Sequence, residues 1–481
     1  MNTADLMTRS LQAMPQGHTI AGILAAALRA ADPAAAVHRA LQRHGTTMRV
    51  AERQYDLAAY DRVVLLAIGK AGAPMAAAAA DLLGDRLTAG VVVVKEGHRA
   101  GMPEDPRLTL IEAGHPQPDD RSVAGAAAIM HLLQTTTERD LVLVLLSGGG
   151  SALMTLPAPG ITLADMQHLT RQLLACGASI GEINTLRKHL DILKGGGLAR
   201  AAAPAAVVAL VLSDVVGSPL DIIASGPTVA DSSTFADAWG VLERYALVDA
   251  IPPAIRHRLE QGLAGAVAET LKPGAPQLAQ VQNLVIASNR EAAEGARDAA
   301  MAAGFDTLIL TNHDQPGQAL GMPDTDQPPG WWLGQLAAPV EGEARIAGTF
   351  LAATARALAH DAAGLSRPAC LIVGGETTVT LRGSGRGGRN QELALAAVEP
   401  LAGLPEVLLV TLATDGGDGP TDAAGAVVHG ATAGRAAELG LNPAAHLAHN
   451  DAYPFFDALG DLLRPGPTHT NVNDLALLFL F

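Results

Sequence analysis

Six aliphatic residues run straight into Ser147, Gly148, Gly149, Gly150 and Ser151 in "LVLVLLSGGGSALM", residues 141 to 154. Successive glycine N–H groups followed by a helix start form a concave donor site suited to a phosphate, and the flanking serines add hydroxyls. The loop is not of the Walker A kind, because GxxxxGK[ST] occurs nowhere in the chain. A cation for the same anion is offered by "GKAGAPMA", which puts Lys70 in the turn after another aliphatic run. "EINTLRKHLDILKGGGLA" adds Arg187, Lys188, His189 and Lys194 ahead of a second glycine triplet. Arg187, His189 and Lys194 do not share one helical face, so part of this set must face solvent.

Acidic turns supply the complementary chemistry. "LVLSDVVG" places Asp214 after a buried run, and "LVTLATDGGDGPTDAAG" places Asp415 and Asp418 similarly, with Asp422 farther on as a turn residue. Carboxylates beside glycines at strand ends make poor core residues and good Mg²⁺ or hydroxyl contacts. "GGETTVTLRGSGRGGRNQEL" contains a literal GxGxxG at Gly383, Gly385 and Gly388. It is a weak dinucleotide signal: residues 378 to 381 alternate like a half-exposed strand, and Arg386 and Arg389 suit carboxylate or phosphate monoester capture better.

The elements that must position these groups follow from the hydrophobic pattern. "RVVLLAIGKAG", "GVVVVKEG", "LTLIEAGHP", "DLVLVLLSGGG" and "AVVALVLSDVVG" are aliphatic runs ending in glycine or polar turns, separated by Ala- and Leu-rich helices. That alternation predicts a mostly parallel sheet covered on both faces, a doubly wound α/β domain with its site at the strand ends. The Pro- and Gly-containing "LKPGAPQLA" closes it, giving domains at 1–278 and 279–481. The second α/β unit is read from "QNLVIASNREA", "FDTLILTNH", a helix around 343 to 360, "ACLIVGGETTVTLRG", a helix from about Asn390, "EVLLVTLATDGGDG" and the closing strand "LALLFLF". Residues 311 to 340, rich in Pro, Gly, Asp and Gln around Trp331 and Trp332, read as a surface excursion or a lid.

Composition bounds the function. The 481 residues are 49% hydrophobic, enough for two or three cores, and at 3% aromatic content those cores must be built from Ala, Val, Leu and Ile. A net charge of −15 argues against a general nucleic-acid or anionic-membrane surface, so an anionic substrate needs a local basic pocket. Cys176 and Cys370, with no CxxC, favour a reducing cytoplasm over a disulfide scaffold or thiolate metal site. No signal-peptide order and no run near the roughly 18 apolar residues of a membrane span is present.

Taken in order, "AIGKAG", "AGHPQPDD", "LLSGGGSALM", "EINTLRKHL", "LKGGGLA", "LSDVVGSPLDIIASGPT", "GGETTV", "GGRNQELAL", "ATDGGDGPTDAAGA" and "GPTHTNVNDL" resemble the two-domain, MOFRL-type glycerate 2-kinase family, some of whose members carry an older hydroxypyruvate reductase label. The resemblance runs from about residue 20 onward. It implies ATP-dependent phosphorylation of D-glycerate at its 2-hydroxyl, Mg²⁺, and an active site in the cleft between a large N-terminal Rossmann-like domain and a smaller C-terminal one. Carried over by motif, Lys70 and Arg389 are active-site residues, joined by Asp214 as catalytic or metal-binding group and by Asp415 as metal ligand. Ser147 to Ser151 with Lys188 and Lys194 would hold phosphates, and Glu376, Asn390, Asp415 and Asp418 would lie near substrate or metal. Departures stand at Ser218, where aspartate is usual, at Gly197, where arginine is common, and at His469, where glycine is expected. The rival reading is an NAD(P)H-dependent hydroxypyruvate reductase with His115 as its acid–base group. A non-catalytic sensor of a sugar acid or nucleotide is a third. A homodimer is one option for the assembly.

Overall fold

The computed structural model describes the chain except residues 1, 103, 316, 323–334 and 361–364. Its contacts divide into two compact units that do not follow the linear division expected at 278/279. One holds residues 33–213 and 218–286, and the other holds 1–32, 214–217 and 287–481. The N-terminal segment belongs with the C-terminal half because helix α1 (Gly17–Ala30) packs directly on a helix that opens that half, Asn289–Ala302. A side chain on Gly295 would stand 2.4 Å from Cβ of Ala30, so this closeness depends on glycine. Nothing in the linear sequence pattern marks such a long-range pairing.

The first unit opens with a small antiparallel sheet, β1 (Leu41–His44), β2 (Thr47–Val50) and β3 (Arg53–Asp56). Its main sheet holds β4 (Arg62–Ile68), β5 (Leu87–Lys95), β6 (Leu108–Ala113), β7 (Asp140–Leu146), β8 (Ala206–Leu212) and β9 (Val281–Ala287). The spatial order is β6-β5-β4-β7-β8-β9, and the pairings from β6 through β8 are all parallel. Every residue of β7 is buried, as are six of seven in β4, which explains their unbroken aliphatic character. Helices including α2 (Gly72–Leu83), α3 (Asp120–Leu133), α4 (Ile180–Leu190), α5 (Phe235–Arg244) and α6 (Pro253–Leu263) complete the unit. The chain winds from β4 outward to β6 and then returns to lay β7 on the other side of β4. Strand order therefore reverses between β4 and β7, and the carboxyl ends at such a reversal are where open α/β sheets place their ligands.

In the second unit, α7 (Asn289–Ala302), α8 (Ala344–His360) and α9 (Arg389–Leu401) accompany a mixed sheet. Its strands are β10 (Asp306–Ile309), β11 (Gln318–Ala319), β12 (Val340–Glu341), β13 (Ala369–Gly375), β14 (Val407–Ala413), β15 (Gly425–His429), β16 (Leu462–Leu463) and β17 (Asp474–Leu480). The order runs β11-β12-β13-β17-β14-β15-β16, with β10 also paired to β13. The closing strand β17 is wholly buried and lies antiparallel to both β13 and β14, at the centre of the sheet. Residues 378 to 381, read as an alternating strand, form only one isolated bridge at Thr378 and are otherwise irregular. Of the 311–340 segment, β11 and β12 extend the sheet edge, while Trp331 and Trp332 lie outside the described residues.

Helices α8 and α9 pack so closely that a Cβ on Gly348 would stand 2.0 Å from the Leu393 carbonyl oxygen. Gly348→Ala should gain about 1 kcal/mol in helix propensity, yet the obstacle is backbone, and prying two packed helices apart costs roughly 1–3 kcal/mol. The net expectation is a lower thermal midpoint, measured by circular dichroism. An unchanged or raised midpoint would mean the crossing is looser than described.

Candidate active site

The site of the first unit forms where two glycine turns meet at the ends of β4 and β7. The Lys70 N–H donates to the Gly148 carbonyl at 2.9 Å, and the Ala71 N–H donates to the Ser147 hydroxyl at 3.1 Å. Gly69, at φ +130°, lets the turns touch, since a Cβ there would stand 2.2 Å from Ser147 Oγ. Ser147 is therefore a buried latch between the two turns, its hydroxyl oxygen engaged as an acceptor.

Beyond the latch, Gly149 adopts φ +84° and a short helix runs from Gly150 to Leu153. The N–H groups of Gly148, Gly149 and Ser151 donate to no protein acceptor among the described residues. Lys70 and His115 border this nest: a Cβ on Gly149 would lie 3.5 Å from Lys70 Cγ and 3.0 Å from His115 Nε2. Lys70 forms no ion pair among the described residues. Burial, and then the charge of Lys70, push His115 down to about 4, so its ring is neutral at pH 7. His98 Nδ1 lies 3.2 Å from the Lys70 carbonyl oxygen and fixes the turn from outside.

The Ser151 hydroxyl contacts Ser225 Oγ at 2.8 Å, and Ser225 in turn donates to Asn184 Oδ1 at 3.1 Å. Ala224 and Ser225 both hold left-handed φ, +50° and +60°, a costly arrangement of the kind that gathers at functional sites. Arg187 reaches Asn184 at 3.5 Å from the same face of α4, and burial lowers its pKa. Sequence reading missed Asn184 and Ser225. The only signal was their place in "EINTLRKHL" and "DIIASGPT", because left-handed alanine and serine leave no local mark.

Lys188 and Lys194 do not join the nest. Lys194 is buried, paired to Asp191 at 2.7 Å and donating to the Met154 carbonyl at 2.8 Å. Lys188 is buried against Asp231 at 3.2 Å and reaches Asp221 at 3.5 Å. The glycine triplet beside them is likewise structural. Gly195, Gly196 and Gly197 donate to the carbonyls of Ser225, Gly226 and Lys194, and a Cβ on Gly197 would lie 1.9 Å from the Ile192 carbonyl oxygen. The expected phosphate clamp is a set of internal struts, because buried cations require a counter-charge and theirs is supplied by the protein.

The second unit gathers another cluster. Arg389, the first residue of α9, is clasped by Asp474 at the start of β17, Nε to Oδ2 at 2.5 Å and Nη2 to Oδ1 at 3.0 Å. Burial works against the charge of Arg389, but the bonds to Asp474 prevail and raise its pKa. Its Nη1 lies 3.2 Å from Glu376, which is 40% exposed, so this edge faces a displaceable partner. Sequence reading did not single out Asp474, which lies 85 residues away from Arg389.

Asp214 and Asp415 each stand two residues past the end of a buried strand, β8 and β14, as the pattern indicated. Asp415 Oδ1 accepts the Gly417 N–H at 3.1 Å, and its Oδ2 accepts no hydrogen bond among the described residues. Asp418 is buried against Gly388, where a Cβ would lie 2.3 Å from its Cγ, and its Oδ2 accepts the Gln391 N–H at 2.9 Å. Among the described residues its Oδ1 and the side-chain Nδ2 of Asn390 meet no hydrogen-bond partner, and burial pushes the Asp418 carboxyl up to about 7. Gly383 and Gly385 pack on the backbone of His449 and on Asp451, so the literal GxGxxG serves close packing within this unit. Asp422 accepts from Tyr453 at the surface, as a turn residue would. Two of the departures are conformational. Ser218 and His469 both adopt left-handed φ, +51° and +62°, which suits the aspartate and glycine expected there.

No group of three or more His, Cys, Asp or Glu able to hold a metal occurs among the described residues. Mg²⁺ bound with phosphates ordinarily takes only one or two carboxylates, so the open oxygen of Asp415 remains chemically suited to it.

One unit carries a donor nest with an adjacent lysine at the reversal of a parallel sheet, the other a mixed sheet with an arginine clasped by aspartate, and the two together define a two-unit α/β enzyme. A family model described as a domain of unknown function, DUF4147, matches residues 19–260, and the MOFRL family matches 369–474. D-glycerate 2-kinase of Thermotoga maritima is 42% identical over 417 residues, covering 87% of this chain and 90% of that protein. Glycerate 2-kinase of Pyrococcus horikoshii is 40% identical over 452 residues, covering 94% of each. The crystal structure of the Thermotoga maritima glycerate kinase superposes with a TM-score of 0.80 at 39% identity, covering 96% of this chain and 98% of that one. The chain belongs to the family that joins these two domains and includes these glycerate kinases.

Asp418 generates a pH prediction. In the folded chain it keeps its proton up to about pH 7, whereas an unfolded aspartate releases it near pH ~4. Between those values the folded state binds more protons, so Asp418 lowers stability as pH rises through that window. Asp418→Asn retains an acceptor for the Gln391 N–H and cannot ionise. Its thermal midpoint should fall less steeply than wild type between about pH 4 and 7, and parallel profiles would show that Asp418 does not titrate there.

Proposed function

We propose that the protein transfers the terminal phosphoryl group of ATP to the 2-hydroxyl of D-glycerate, forming 2-phosphoglycerate. The observation that carries this reading is the nest of undonated N–H groups at Gly148, Gly149 and Ser151 beside Lys70, at the strand-order reversal. It is supported by the names of the glycerate kinases to which the chain is 42% and 40% identical. Phosphoryl transfer passes through a loose transition state and asks chiefly for positioning and for charge stabilisation. The nest holds phosphate oxygens, Lys70 offsets charge on the transferring group, and neutral His115 shapes the nest without adding a charge.

On the acceptor side, Asp474 holds Arg389 in a fixed plane, and the Nη1 edge takes the glycerate carboxylate in place of Glu376. Asp214 orients or deprotonates the 2-hydroxyl or joins Asp415 at a Mg²⁺ ion, with Asn390 and Asp418 nearby in the supporting network. The ion, when bound, neutralises phosphate charge. The same reading places the protein in the cytoplasm, acting on small molecules without nucleic acid or membrane, with a homodimer as one assembly. No single helix among the described residues is long and apolar enough to cross a membrane.

The reductase alternative lacks its two requirements. Gly383 and Gly385 pack against the 449–451 segment and Gly388 against Asp418, and His115 is uncharged at pH 7, unsuited to donate a proton as hydride arrives.

Incubation with ATP, Mg²⁺ and D-glycerate should yield 2-phosphoglycerate by phosphorus NMR, with no NADH oxidation when hydroxypyruvate is supplied. Lys70→Ala should lower kcat by about 10²- to 10³-fold, the usual loss on removing one preorganised charge or donor, while Arg389→Ala should chiefly raise KM for glycerate. NADH loss without a phosphomonoester would overturn the reading, and wild-type kcat in Lys70→Ala would remove that residue from the mechanism.

A further inference from the structure

The first unit contains a cavity of about 390 Å³ lined by Lys188, His189, Arg200, Phe235, Arg258 and Thr270, with no residue of the Lys70 nest in its wall. That volume lies within the range of small-molecule sites. Its cations are of two kinds. Lys188 and Lys194, which also lines it, have their charges met by Asp231 and Asp191. Arg200 and Arg258 do not.

Among the described residues, the one side-chain hydrogen bond of Arg258 runs from Nε to the His189 carbonyl at 2.8 Å, and that of Arg200 from Nη2 to the Glu269 carbonyl at 2.6 Å. Neither guanidinium has a carboxylate within ion-pair distance among the described residues. A guanidinium carries five N–H donors, so each retains most of its capacity. Burial without a nearby acid depresses the pKa of Arg258, which marks a charge left uncompensated. Part of the wall is apolar: the Phe235 ring is buried edge-on against His189 at 4.7 Å, and Met130, Pro159 and Ile192 also border the space, while Asp191, the one acid in the lining, is held by Lys194 at 2.7 Å.

We infer that this cavity binds a small organic anion whose phosphate or carboxylate groups engage Arg200 and Arg258 while its apolar body lies toward Phe235. Planar guanidinium pairs select such oxyanions, which present two acceptor oxygens to each fork. Helix α4 borders both places: Asn184 and Arg187 face the Ser151 hydroxyl network, while Lys188 and His189 line the cavity. An occupant would thus touch the same helix that supports the nest. The inference does not depend on the kinase reading.

Calorimetry on the full chain tests it with phenyl phosphate and succinate as the two oxyanion probes and benzyl alcohol as the neutral control. At least one probe should bind wild type, and the same affinity should persist within about two-fold in Lys70→Ala, which removes the cation beside the nest. Arg200→Ala, at an exposed position, should weaken binding by about ten-fold or more, in keeping with the loss of charge-assisted bonds, and Arg200→Glu should abolish it. Arg258→Met should do the same if it folds, and the two Arg200 variants decide the matter if it does not. Phenyl phosphate alone binding identifies a phosphate ligand, and succinate alone a dicarboxylate. Absence of heat with both probes, equal affinity in Arg200→Ala, loss of binding in Lys70→Ala or equal binding of benzyl alcohol would each overturn the inference.

Discussion

The first unit is organised around one contact, the meeting of two backbone turns at Gly69–Ala71 and Ser147–Gly149. Two hydrogen bonds hold it, from the Lys70 N–H to the Gly148 carbonyl and from the Ala71 N–H to the Ser147 hydroxyl. Both exist only because Gly69 has no side chain to keep Ser147 away. Their effect is to leave three N–H groups of the β7 turn, beside a lysine, without protein acceptors among the described residues. A buried unpaired donor is expensive, and a phosphate is the partner that would remove the cost.

The cations separate by what surrounds them. Lys70 sits at a strand end and forms no ion pair among the described residues, whereas Lys188 and Lys194 sit in the core with acids at 3.2 and 2.7 Å. Burying a charge demands a partner, so a lysine sealed inside is already committed, and one left at the rim of a nest is available. This distinction is invisible in a string such as "LRKHLDILKGGG": helical spacing puts part of the set in solvent, whereas Lys188, His189 and Lys194 are all buried and Arg187 is half-buried. It is also why Arg200 and Arg258 stand out only in three dimensions.

The parallel sheet was legible because strands buried on both faces must be continuously aliphatic, and the placement of glycine and polar turns at their ends located the nest directly. Arg389 and Asp418 were likewise visible as polar residues where a core pattern breaks. The roles of their partners were not. Asp474 enters from a strand 85 residues on, Ser225 acts through a left-handed backbone, and residues 1–32 join a unit that begins at 287. Each depends on tertiary pairing or on φ, and neither is encoded in a short window of residue types.

The position of β17 has a consequence for how the protein is made. Strands β13 and β14 do not pair with each other; both wait for residues 474–480, which slot between them. A ribosome therefore produces the whole mixed-sheet unit except its middle, and during that interval two aliphatic strands present open edges of the kind other chains can join. The same late strand brings Asp474, without which Arg389 keeps only the half-exposed Glu376 as a partner. Closure of the sheet and assembly of the arginine site are one event, so a nascent chain interrupted before residue 474 would be both sticky and inert.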